Sequence, residues 1–201
     1  RSGIYPAMSL HFQTPLEGAL YMYLLGCKIF PIRPNEKVPA VTGWQQWAEQ
    51  ATEEKIREYG ATHPEFNWAV FCGASDFWVL DVDNKGGVNG SAHLSGILAQ
   101  EGKELPRTFT VRTPSGGRHL YYLGEGKGSI GAIEKGIDTK SMGGYVLAPG
   151  SRINGKTYEI EDLSPFAVRP EWLYGLSIKK DQHPAQSAES LKGIPLNQPH
   201  H

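Results

Sequence analysis

The feature that most limits this chain is how often its apolar runs are cut. Between Asn67 and Ile160 nearly every run gives way after a few residues to Gly, Pro, Asn or Asp, and many of the chain's 24 glycines fall in that region. A globular helix needs about 10–12 periodic residues, whereas a strand needs only roughly 4–8. The pattern excludes a helical bundle or coiled coil and predicts short strands joined by tight turns. The expected strands are Trp68–Cys72, Phe77–Asp83, Thr108–Thr113, Leu120–Leu123, Ile137–Lys140, Tyr145–Leu147 and Thr157–Ile160, with Gly-Ala-Ser-Asp between the first two read as a hairpin turn. Ser91 to about Glu101 is expected to be helical.

The first third reads differently. Thr14 can cap a helix, Pro15 suits its first position and Glu17 completes a capping box. Leu16, Leu20, Tyr23 and Leu24 would share the buried face, and Gly26 would stop the helix. Cys27–Pro31 is expected to be a strand, 33–43 a loop, and Thr52 to about Tyr59 a second helix closed by Gly60. The chain of 201 residues is long enough for one domain that buries about 70% of its extended surface. The expected fold is a single compact α+β domain over 10–177, with a central, mostly antiparallel sheet and an N-terminal α/β part packed against it. Residues 1–9 read as an extension left over from expression, and 178–201 as a polar linker or tail.

Charge narrows the function. Lys and Arg total 20 against 21 Asp and Glu, a net charge of −1, so a polycation that coats nucleic acid is excluded while a local basic groove is not. Two cysteines, Cys27 and Cys72, supply neither a disulfide scaffold nor a four-ligand zinc site. No apolar run approaches the ~20 residues of a membrane span. The expected setting is the cytoplasm, with no membrane partner.

The sharpest motif is Trp78-Val79-Leu80-Asp81-Val82-Asp83-Asn84. Residues two apart on a strand share a face, so Asp81 and Asp83 leave a core strand side by side. Adjacent carboxylates repel unless a cation sits between them, and a hard divalent ion is the usual solution. A plain strand end running into a solvated turn is the competing reading. Lys85 and Ala92 stand where an EF-hand needs oxygen ligands.

The second motif is Thr113-Pro114-Ser115-Gly116-Gly117-Arg118-His119. A Gly turn can expose backbone amides to an anion, with Ser115 and His119 as further donors; an ordinary hairpin turn is the alternative. The third, Gly136 to Gly144, offers Asp138 as a third carboxylate and Lys140 and Ser141 as phosphate donors. Gly126 to Gly131 matches G-x-G-x-x-G but is followed by no helix, and there is no Walker A sequence. Ser115 with His119 lacks the elbow and orienting acid of a nucleophilic site. Cys72 reads as core, and Trp44, Trp47 and Trp68 as packing.

In this order the pieces resemble the primase–polymerase domain of plasmid and phage replication proteins, within the archaeo-eukaryotic primase superfamily. The resemblance runs from about Gly18 to Trp172, through Phe30-Pro31-Ile32, Lys37-Val38-Pro39, Trp44, Leu80-Asp81-Val82-Asp83, Pro106-Arg107-Thr108, Thr113 to Tyr121, Gly136-Ile137-Asp138, Gly144 to Ser151 and Gly155 to Tyr158. It implies an RRM-like catalytic sheet with metal-binding acids at Asp81, Asp83 and Asp138, holding two Mg²⁺ or Mn²⁺ ions. It also implies a triphosphate site at Ser115 and His119, supported by Gly116, Gly117, Lys140 and Ser141, with Arg33 and Lys37 toward nucleotide or template. No zinc insertion is expected. The implied partners are single-stranded DNA template, nucleoside triphosphates and a helicase domain farther along the full-length protein. Two other functions compete: a metal-dependent phosphodiesterase, and a non-catalytic single-strand-binding module that loads a helicase.

Overall fold

A computed structural model describes residues 10–73 and 76–178. Residues 74–75, 1–9 and 179–201, which include the expected hairpin turn, extension and tail, lie outside the described residues.

The first helix, α1 (Pro15–Leu24), begins as its caps require: the Thr14 hydroxyl accepts from the Glu17 amide at 3.2 Å, and Glu17 reaches back to the Gln13 amide at 2.7 Å. The buried face is the predicted one in part: Leu20 is buried, and Leu16 and Tyr23 pack against the same core. Gly18, Ala19, Leu20 and Met22 face inward, while Leu24 is 72% exposed. Strand β1 (Ile29–Ile32) is followed by the expected loop and by α2 (Trp44–Gln50), a helix that its flanking Gly43 and Ala51 do not announce. Helix α3 (Glu53–Thr62) is capped by Thr52 and runs through Gly60. Gly60 is a packing position, since a Cβ there would lie 2.6 Å from the Leu16 side chain on α1.

Strands β2 (Asn67–Phe71) and β3 (Phe77–Val82) do not form a hairpin. β2 pairs with β1 and with a strand from much later, β8 (Tyr145–Leu147), in a three-stranded antiparallel sheet. β3 lies in the middle of a larger sheet with β4 (Thr110–Arg112), β5 (Arg118–Leu123), β6 (Ser129–Glu134), β7 (Ile137–Lys140) and, after the small hairpin β9 (Arg152–Ile153) and β10 (Lys156–Thr157), β11 (Glu159–Asp162). Its order is β11-β4-β5-β3-β7-β6, with β12 (Ala167–Val168) joining β5 in the one parallel pairing among the described residues. Helices α4 (Gly90–Glu101) and α5 (Glu171–Ile178) complete the chain. The fold is α+β and mostly antiparallel. The N-terminal part does pack against the large sheet, but its sheet borrows its third strand from residues 145–147.

Alternation along β3 organises the interior. Phe77 and Val79 join Trp68, Val70, Tyr121 and Ala19 in the core between the two sheets. Trp78, Leu80 and Val82 point the other way, against Tyr122, Ile137 and Leu173, with Leu94 and Ile97 of α4 covering them. A third cluster buries Phe30, Ile32, Ala69 and Phe71 beneath Trp44 and Ala48 of α2. β3 is buried on both faces until the face that carries Asp81 opens into a cleft between the sheets.

Candidate active site

The cleft has a volume of about 670 Å³. Its floor is the end of β3. Asp81 stands directly opposite His119 of β5 on one side and Asp138 of β7 on the other, so three strands present one row of titratable groups. One residue beyond the strand, Asp83 is held by its backbone: its amide donates to Gly136 O at 2.8 Å, and its carbonyl accepts from the Gly90 amide at 2.9 Å. One carboxylate oxygen from each of Asp81, Asp83 and Asp138 lies within 4.8 Å of the others. Among the described residues this is the only such group of potential metal ligands.

The electrostatics fit a cation. Asp81 Oδ1 is buried without a hydrogen bond, and His119 Nε2 stands 3.4 Å from it. Lys85 Nζ lies 3.2 Å from Asp83 Oδ2, and Lys140 Nζ lies 3.8 Å from Asp138 Oδ2. Burial pushes the Asp81 carboxyl upward, but His119, Lys140 and Lys37 outweigh it and hold the group below its usual 3.8. A carboxyl lowered on folding stabilises the fold above its ordinary pKa, and the contribution is lost as pH falls through the lowered value. In the presence of a chelator, wild type is expected to lose more Tm between about pH 6 and 3 than Asp81→Asn. Equal acid limbs would show that Asp81 is not held as its neighbours require.

Asp138 is oriented from an unexpected quarter. The pairing of β6 with β7 is irregular between Ser129 and Glu134, and there Gly131 turns to φ +58 and donates its amide to Asp138 Oδ1 at 2.7 Å. The other oxygen, Oδ2, is the one that lies 3.8 Å from Lys140 Nζ. A Cβ at Gly131 would meet open space, so only its backbone conformation demands glycine. Gly131→Val is expected to raise the half-saturating Mn²⁺ concentration several-fold in a direct binding titration, with Gly131→Asn, which tolerates left-handed backbone, near wild type. Equal affinities for all three would remove this role.

The remaining predicted residues divide. Ser115, His119, Lys37 and Lys140 line the cleft with the three acids. Gly116, Gly117, Ser141 and Arg33 are not among its lining residues. The Gly116 amide donates to Thr113 O at 2.9 Å within the turn, and the Gly116 carbonyl accepts from Asn84 Nδ2 at 3.0 Å. Gly117 packs against the backbone of β3, where a Cβ would lie 2.1 Å from Val82 O. Ser141 lies one residue beyond β7 and is 3% exposed. Cys27 and Cys72 are buried core thiols, and burial pushes Cys27 up to about 12.

Sequence reasoning missed Lys85, Tyr145, Ile153 and Tyr158 as cleft residues. Tyr145 secures the loop that delivers Lys37. Its hydroxyl donates to Lys37 O at 2.7 Å, and its ring sits against Phe30 and Trp44. Nothing local marks such a contact across 108 residues.

No curated protein matches the chain. The family described as bifunctional DNA primase/polymerase, N-terminal, matches residues 19–172, which spans both sheets, every acid of the cleft and the Ser-Gly-Gly turn. On a match of that extent, the chain belongs to the bifunctional DNA primase/polymerase N-terminal domain family.

Proposed function

We propose that this domain is a template-dependent nucleotidyltransferase that starts or extends strands in plasmid or phage DNA replication. The observation that carries the reading is the placement of three converging carboxylates and two lysines, Lys37 and Lys140, in one cleft between the sheets. A nuclease needs the acids, but cations set beside them suit a nucleoside triphosphate as well.

Asp81, Asp83 and Asp138 would hold Mg²⁺ or Mn²⁺, with Asp138 oriented by the Gly131 amide. Divalent ions bound there would activate a 3′-hydroxyl and neutralise charge at the α-phosphate during in-line displacement of pyrophosphate. Lys37 and Lys140 would bind the β- and γ-phosphate oxygens as point charges, with Ser115 donating its hydroxyl and His119 an imidazole N–H. The cleft walls from Tyr145, Leu147, Ile153 and Tyr158 would limit water around the reacting phosphate. Within this reading, the large sheet serves as the RRM-like platform that the family resemblance implies.

Extension of a labelled primer on a single-stranded template, with an unprimed reaction beside it, tests the proposal. Product that requires Mg²⁺ or Mn²⁺ is expected, and the unprimed reaction separates primase from polymerase. Shortening of the labelled strand instead would establish a phosphodiesterase. Metal-independent strand binding with no turnover would leave a binding module.

A further inference from the structure

Two loops far apart in sequence are joined at the edge of the cleft by a pair of asparagines. The Asn154 amide donates to Asn35 Oδ1 at 2.6 Å, and Asn35 Nδ2 donates to Asn154 Oδ1 at 3.3 Å. Both residues hold left-handed backbone, with φ 56 at Asn35 and φ 50 at Asn154, a conformation that Asn tolerates better than most side chains. The first lies in the loop between β1 and α2. The second, with Gly155 at φ 73, makes the two-residue turn between β9 and β10. The joint makes one continuous wall from residues 33–39 and 152–157.

Two cations on that wall differ from most of the arginines elsewhere among the described residues. Arg57, Arg107, Arg112 and Arg118 are each paired with a carboxylate, on Glu53, Asp162, Glu159 and Glu161 respectively. Arg33 and Lys156 are exposed and form no ion pair among the described residues. Lys156 stands opposite Ile153 in the hairpin and therefore shares its face, and Ile153 lines the cleft. Lys37, from the same loop as Arg33, enters the cleft itself. Positive charge thus leads from the wall to the catalytic acids, with Glu36 as the carboxylate in that loop.

We propose that the Asn35–Asn154 wall seats the phosphodiester backbone of a single-stranded DNA template, through Arg33 and Lys156. The inference rests on the polymerase reading, which supplies an unpaired strand that must reach the cleft. It assigns Arg33 to the template and not to the nucleotide, because Arg33 is outside the cleft lining where Lys37 and Lys140 are found. Contacts of this kind are indifferent to sequence and sensitive to salt.

The test is fluorescence anisotropy with a labelled oligo-dT over a series of NaCl concentrations, on proteins matched for circular dichroism and Tm. For the Arg33→Ala/Lys156→Ala variant, affinity should fall and the slope of log K against log salt should shrink by about 1.4, at roughly 0.7 per lost phosphate contact. Asn35→Ala, which keeps both cations, should also weaken binding, and Arg107→Ala, which removes a paired arginine, should not. An unchanged slope in the double variant, or an equal loss in Arg107→Ala, would overturn the proposal. So would unchanged strand binding together with a raised nucleotide KM, which would assign the two cations to the triphosphate. Primer extension by wild type separates the two levels. Extension with unaltered strand binding in the double variant refutes the wall alone, whereas wild type that extends nothing refutes the polymerase reading beneath it.

Discussion

Asp81→Ala combined with Asp83→Ala is expected to abolish metal-dependent nucleotide incorporation, by on the order of 10³-fold or more, in a protein that remains folded. The size follows from what bound cations contribute to phosphoryl transfer, several kcal/mol at about 1.4 kcal/mol per tenfold. The fold should survive because neither carboxylate is part of an apolar core, and both are only partly buried. Two opposing effects act on stability. The double variant loses the ion pair between Lys85 and Asp83 and the contact of Asp81 with His119, and it relieves the crowding of like charges within 4.8 Å. A Tm within a few degrees of wild type is therefore expected, together with intact binding of single-stranded DNA. Full incorporation by this variant would sink the proposed chemistry, and its unfolding would show that the acids also hold the sheet together.

Gly117→Ala should act through the fold and silence the site at the same time. Its new Cβ would lie 2.1 Å from Val82 O and 3.2 Å from Val82 C, the carbonyl group immediately before Asp83. Backbone in the centre of a sheet cannot give way as a flexible side chain can. Overpacking of this kind costs about 2–3 kcal/mol, or roughly 4–12 °C in Tm for a domain of this size. The strain displaces the backbone that carries Asp83 and the turn that carries Ser115, so incorporation should fall further than the loss of folded protein explains. The neighbouring Gly116 is required for a different reason: it adopts φ +83 with open space where a Cβ would go. Gly116→Ala should cost about 1–2 kcal/mol, all of it conformational. A urea titration in which Gly117→Ala is no more destabilised than Gly116→Ala would refute the close contact.

Much of the site is legible in the sequence because its chemistry is local. Asp81 and Asp83 announce themselves by alternation on a strong strand, and Ser115 and His119 by a turn bounded by two strands. Asp138 and Lys140 share a face by the same period of two. Gly131, Tyr145 and Asn154 are not legible there, since each acts through a hydrogen bond to a residue on another element. Edge strand β6 is hidden for a further reason. Ile133 is its only fully buried residue and Ile130 is 85% exposed, so it shows no alternating apolar pattern. Helix α5 is short and buries only Leu173 and Ser177, which leaves too little periodicity to detect.

The amino-acid sequence alone determined where most strands and helices begin, how α1 is capped, and that paired acids would emerge from a buried strand. These follow from interactions within a few residues: caps, turn propensities and the two periods of side-chain direction. Only the tertiary structure decided that β2 and β3 part into different sheets, that β8 completes the N-terminal one, and that a cleft opens between them. Strand partnership is set by which apolar faces can be buried together across the whole chain. A turn of four residues can as readily hand the chain from one sheet to another as fold it back on itself.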